Sequence, residues 1–119
     1  MDKKVRQLLF HHEFDERAEW EAEQRGLCDY VSVELDNGMR YRVCFYIPSR
    51  LAVSINALRD GGEPDIIGIP GLIVISQVTV EKMKQAASVL AEDSYFFEGL
   101  VPEDCGGSGF LDVSATFVV

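Results

Sequence analysis

Residues 30–47, Tyr-Val-Ser-Val-Glu-Leu-Asp-Asn-Gly-Met-Arg-Tyr-Arg-Val-Cys-Phe-Tyr-Ile, alternate apolar and polar side chains on both sides of Asp36, Asn37 and Gly38. Such alternation marks two half-buried strands, and Asn-Gly marks the reversal between them. A two-residue type I′ loop would pair Asp36 with Met39 and set Val33 against Arg42. The apolar residues of the two strands would then point to opposite faces, because side chains alternate with period two. A three-residue loop at 36–38 removes the conflict. Leu35 then faces Met39, Val33 faces Tyr41, Val31 faces Val43 and Leu27 faces Ile47. Glu34 meets Arg40 on the other face, an opposite-charge pair contributing roughly 0.2–1 kcal/mol. Gly38 takes the left-handed conformation that closes such a loop as a G1 bulge. The hairpin at 27–47 is the frame on which the rest must pack.

Around it the pattern predicts a charged helix at 13–25, ended by Gly26. Phe14, Ala18 and Ala22 give it only a narrow apolar line, with Trp20 pointing elsewhere. Residues 1–26 are therefore expected as a loosely docked extension of one domain spanning 1–119. Pro48 breaks the strand, and Ser49 is expected to cap a core helix at 49–60 through Leu51, Ile55 and Leu58. A loop follows at 63–71, unusually rich in isoleucine (Ile66, Ile67, Ile69). The apolar run at 72–76 suits a strand covered on both faces. Thr79 caps a helix at 79–92, lined by Val80, Met83, Ala87 and Leu90. A brief edge strand at Tyr95, Phe96 and Phe97 and a loop at 99–109 lead to a closing strand near 110–118. There Leu111, Val113, Ala115, Phe117 and Val119 share a face. The expected fold is α+β: an antiparallel sheet against two amphipathic helices, plus the charged helix.

Charge narrows the partners. The net charge is −9. Residues 13–26 carry six carboxylates against Arg17 and Arg25, and residues 61–119 carry nine against Lys82 and Lys84. Nucleic acid is a poor partner for such a chain, since phosphate binding needs Lys and Arg. No apolar run approaches the roughly 18 residues of a membrane span. Leu8, Leu9 and Phe10 are too short a run for a secretory leader. A cytoplasmic location is expected. Cys28, Cys44 and Cys105 lack C-x-x-C spacing, which argues against a disulfide framework or a zinc ribbon. In the hairpin register Cys28 and Cys44 are diagonal neighbours on one face, typically about 7–8 Å apart. That is long for a disulfide, so reduced, half-buried thiols are expected.

Motifs for catalysis fail on inspection. His11 and His12 stand beside Glu13, Asp15 and Glu16, but without H-E-x-x-H spacing or a fixed third ligand, so no metal is expected. Gly106-Gly107-Ser108-Gly109-Phe110 departs from G-x-S-x-G at Phe110 and precedes a strand instead of a helix. Cys105 has Glu103 and Asp104 as neighbours, which would raise its pKa and weaken it as a nucleophile. No catalytic residue and no cofactor are expected.

What remains is binding. The leading expectation is a small acidic module that docks a basic protein, in the manner of an immunity or antitoxin protein neutralising a toxin or nuclease. Its candidate acidic face comprises Glu13, Asp15, Glu16, Glu19 and Glu23, together with Glu63, Asp65, Glu92, Asp93, Glu103 and Asp104. Tyr30, Cys44 and Tyr46 on the second hairpin face are candidates for an interface, so monomer and homodimer both stay open. Two alternatives differ in class. One is a small-molecule binder or enzyme with a pocket under loop 63–71, Asp65 or Arg59 orienting the ligand. The other is a homo-oligomeric structural protein.

Overall fold

The hairpin is the middle of a larger sheet. Elements run β1 (Val5–Phe10), α1 (Glu16–Arg25), β2 (Leu27–Leu35), β3 (Arg40–Tyr46), α2 (Pro48–Asp60), β4 (Leu72–Val74), α3 (Val80–Glu92) and β5 (Ala115–Val118). The computed structural model describes residues 4–93, 113 and 115–119. Its mixed α+β fold is one five-stranded sheet, in the order β4-β3-β2-β1-β5, packed with helices. The strand expected at 95–97 and the loop at 99–109 lie outside the described residues.

Near its turn the hairpin follows the expected register: Val31 pairs with Val43, Val33 with Tyr41 and Glu34 with Arg40. Leu35 N–H donates to the Met39 carbonyl at 2.9 Å, and Gly38 at φ 84° closes the three-residue loop. Further out the register shifts, so that Cys28 faces Phe45 and Leu27 faces Tyr46 instead of Ile47. Asp29 and Tyr30 together oppose Cys44, the two-against-one pattern of a β-bulge. Tyr30 takes φ 57°, a left-handed conformation costing about 1–2 kcal/mol for an L-residue. The extra residue also turns Cys28 over. It joins the core face, while Cys44 stays on the second face. The expected common face for the two thiols is thereby corrected, and both are free and buried.

The first correction of architecture is β1. It pairs antiparallel with both β2 and β5, so the amino-terminal segment is no loosely docked extension. Leu8 and Phe10 join the core, and Leu9 is buried although it is not among the core cluster residues. A strand flanked by two others and covered on both faces reads as a plain apolar run, without alternation. A register shift between Val5 and Gln7 blurs the period further.

α1 and α3 supply the layer over the core face. Met83, Ala87 and Ala91 of α3 and Ala22 of α1 join Val31, Val33, Val43 and Phe45 in one cluster. Helix ends follow local chemistry. The Asp15 carboxylate accepts the Ala18 N–H at 2.9 Å, Thr79 Oγ1 accepts the Lys82 N–H at 3.2 Å, and Gly26 ends α1 at φ 75°. α2 starts one residue earlier than expected, with Pro48 in its first turn and Ile47 at the cap, so Ser49 caps nothing.

α2 and β4 depart most from expectation. α2 buries no residue fully; Leu51, Ile55 and Leu58 are only half-buried. It is a crossover helix that returns the chain to the same end of the sheet, so β4 runs parallel to β3. β4 is an edge strand and not a central one, and Val74 is 50% exposed. At the opposite edge Ala115 and Phe117 face the core as expected, but Val119 is exposed. Leu111 lies outside the described residues.

Candidate functional site

Two surfaces stand apart from ordinary packing. The first is the outward face of α1. Trp20 is 60% exposed, and Glu16 and Glu23 lie four residues before and three after it, on the same helical face. Glu13 is exposed just ahead of the helix. Arg17 is tied to Glu21 at 3.0 Å, so its charge is already matched on the helix. Two of the expected docking carboxylates have structural duties. Asp15 is the cap of α1, and Glu19 reaches across to accept the Val80 N–H of α3 at 2.7 Å. That bond places a carboxylate at the positive end of α3 and fixes α1 on the molecule. α1 is thus tied to α3 by a side-chain bond in addition to the packing of Ala22 that its narrow stripe supplies.

The other expected acids do not gather with these. Glu63 N–H donates to the Leu58 carbonyl at 2.9 Å, which holds Glu63 at the carboxyl end of α2. Glu92 and Asp93 sit at the far end of α3, about 20 Å of helix from the end that Glu19 caps. Glu103 and Asp104 lie outside the described residues.

The second surface is a cleft under loop 63–71. Two depressions, of about 530 and 220 Å³, share Tyr46 and Ile69 as common walls. The larger runs along one face of α2, where Arg50, Val53, Ala57 and Leu58 recur at helical spacing, and Ile67 closes it from the loop. The smaller collects Tyr30, Cys44 and Tyr46, the expected interface residues, with Asp29 and Arg42. Gly71 pins the loop. A Cβ there would overlap the Arg42 carbonyl oxygen and stand 3.1 Å from Val43 Cα, and its φ is +82°. The residues expected to orient a ligand are misplaced. Arg59 and Asp65 pair with each other at 3.5 Å on the exposed surface. Arg50 and Glu63 are the charged residues lining the larger depression instead.

No family model, curated protein or solved structure matches this chain.

Polar chemistry inside the sheet is otherwise muted. His11 Nε2 and Ser32 Oγ lie 2.7 Å apart, a pair that sequence spacing could not reveal because it forms across β1 and β2. Ser32 is fully buried, so a substrate has no route to its hydroxyl. Burial pushes the Cys28 thiol up to about 12, helped by the charge of Asp29. Burial and the same carboxylate push Cys44 to about 11. Both thiols stay protonated at neutral pH, a poor state for nucleophilic attack. Among the described residues no group of three His, Cys, Asp or Glu side chains could hold a metal.

Glu34 is held from three sides. Gln7 Nε2 donates to it at 2.8 Å, Arg40 Nε at 2.9 Å and Arg6 Nη1 at 3.5 Å. Burial alone would raise its pKa. The hydrogen bonds from Gln7 and Arg40 and the charges of Arg40 and Arg6 outweigh that, and hold it below the usual carboxylate value. Its role is to join β1, β2 and β3 on the second face.

Proposed function

We propose that the protein is a binding module that docks a basic protein on the outward face of α1. The finer form of this reading is an inhibitor that neutralises a cationic toxin or nuclease. The observation that carries it is Trp20, 60% exposed between Glu16 and Glu23. Tryptophan is over-represented among residues that dominate interface energy, and covering this ring would remove its apolar surface from water. The surrounding carboxylates favour cationic partners and speed the encounter. α1 is preorganised by the Asp15 cap, the Gly26 terminus and the Glu19 bond to α3, so little ordering opposes docking. The remaining carboxylates extend the negative field without touching the partner.

Two buried, free thiols suit a reducing compartment, which supports a cytoplasmic setting. Among the described residues no helix is long and apolar enough to cross a membrane.

The test uses the single tryptophan of the chain as its own reporter. Partners captured on the immobilised full chain are identified, and each is titrated while Trp20 emission is followed. A basic partner should shift the emission to the blue with saturation, bind more weakly as salt rises, and lose at least about tenfold in affinity with Trp20→Ala. A partner without basic character, or one indifferent to Trp20→Ala, refutes the proposal.

A further inference from the structure

The cleft under loop 63–71 lies apart from the α1 face. Its larger lobe, about 530 Å³, lies within the range of small-molecule pockets. Val53, Ala57, Leu58, Ile67 and Ile69 make its walls apolar. Into this lining α2 sets one cation, Arg50. Its Nε is buried and has no hydrogen-bond partner, and Arg50 makes no ion pair among the described residues. A buried guanidinium donor without an acceptor is an unusual thing for a fold to keep, because its desolvation is uncompensated.

We propose that this lobe binds small apolar monocarboxylates, with Arg50 as the carboxylate anchor. A guanidinium presents paired N–H groups that match a carboxylate; with Nε closed off, the two Nη groups are the edge that Arg50 offers to the lobe. Arg50 stands in the first turn of α2, which holds no acidic residue and no side-chain cap, so the helix dipole adds to its attraction for an anion. Glu63 does not cancel this. It sits beside Leu58 at the other end of the helix face, about 12 Å along the axis from Arg50 and exposed to screening solvent. The apolar walls lie between these ends, so the ligand is a chain or ring with one acidic head and no second charge. The site is distinct from the α1 face, and the failure of either proposal leaves the other standing.

The experiment titrates the isotope-labelled full chain with octanoate and, separately, with octylammonium, following backbone amide shifts. Octanoate should saturate, with its largest shifts at Val53, Ala57, Ile67 and Ile69. Octylammonium, of equal length and opposite charge, should bind at least about tenfold more weakly. Arg50→Met should lose at least about tenfold for octanoate while keeping the amide pattern of the folded chain. Ala57→Trp, which fills the groove and leaves Arg50 in place, should abolish binding, and it decides the matter if Arg50→Met fails to fold. Equal binding of the two probes overturns the proposal. So does undiminished octanoate binding by either folded variant, a shift pattern centred elsewhere, or no saturation at millimolar octanoate.

Discussion

Replacing Glu34 with glutamine isolates what one buried charge contributes to this sheet. The change keeps the shape and one acceptor but removes the charge that Arg40 meets at 2.9 Å and Arg6 at 3.5 Å. Hydrogen bonds to charged groups contribute about 1.5–3 kcal/mol each when the site excludes water. Glu34 does so, with its side chain 7% exposed, but Arg6 is 51% exposed and its share is largely screened. Arg40 then dominates, and the expected loss is about 2 kcal/mol at pH 7. For a chain of this length that lowers the melting temperature by roughly 8 °C. The pH dependence carries the sharper test. A carboxylate whose folded pKa is depressed contributes stability above its unfolded value, near 4.5, and loses it as pH falls through the folded pKa. Urea denaturation of wild type and Glu34→Gln should therefore show a gap at pH 7 that closes progressively below pH 4.5. A gap of constant size across that range would refute the electrostatic reasoning and leave packing as the cause.

Other perturbations test the parts that hold the two surfaces. Gly71→Ala should cost upwards of about 2 kcal/mol in denaturant titrations, since its Cβ meets the β3 backbone at a left-handed φ, and should release loop 63–71 to protease. Glu19→Ala should cost about 1 kcal/mol and accelerate amide exchange at Val80 and along α1, because it deletes a helix cap shared by two helices. In a Cys105→Ser background, Cys28 and Cys44 should resist a thiol reagent up to pH 9 in the native state, their pKa values being about 12 and 11. Labelling should follow global unfolding, and rapid native-state reaction at pH 8 would contradict their burial.

What could be read in advance depended on whether a residue's duty was local. The 36–38 loop was legible because only one loop length brings Val33 and Tyr41 to the same face. Thr79 and Gly26 were legible because capping is decided within a turn. The bulge at Asp29 and Tyr30 was hidden, since a tyrosine in a left-handed conformation runs against its own preference and is imposed by the surrounding sheet. β1 was hidden because cover on both faces erases alternation at Leu8, Leu9 and Phe10. α2 misled for the opposite reason. Its stripe of Leu51, Ile55 and Leu58 has the spacing of a core helix, yet β4 beyond it is three residues long and offers little sheet to cover it. α1 begins at Glu16, which leaves Glu13 and Asp15 ahead of the helix expected at 13–25, and sequence could not separate Glu16 and Glu23, which face solvent, from Glu19, which another helix claims.

The two surfaces meet at one residue that neither motif nor charge would have singled out. Gly26 ends α1 in a left-handed turn, and its carbonyl accepts the Ile47 N–H at 2.9 Å, directly before α2. A Cβ at this position would stand 2.7 Å from Ile47 side-chain carbons and 3.2 Å from Arg50 Cβ. The missing side chain is thus what lets the first turn of α2 approach the last turn of α1. The same contact that closes the acidic helix sets Arg50 against the mouth of the apolar groove. The α1 face and the groove thus share one packing contact at Gly26.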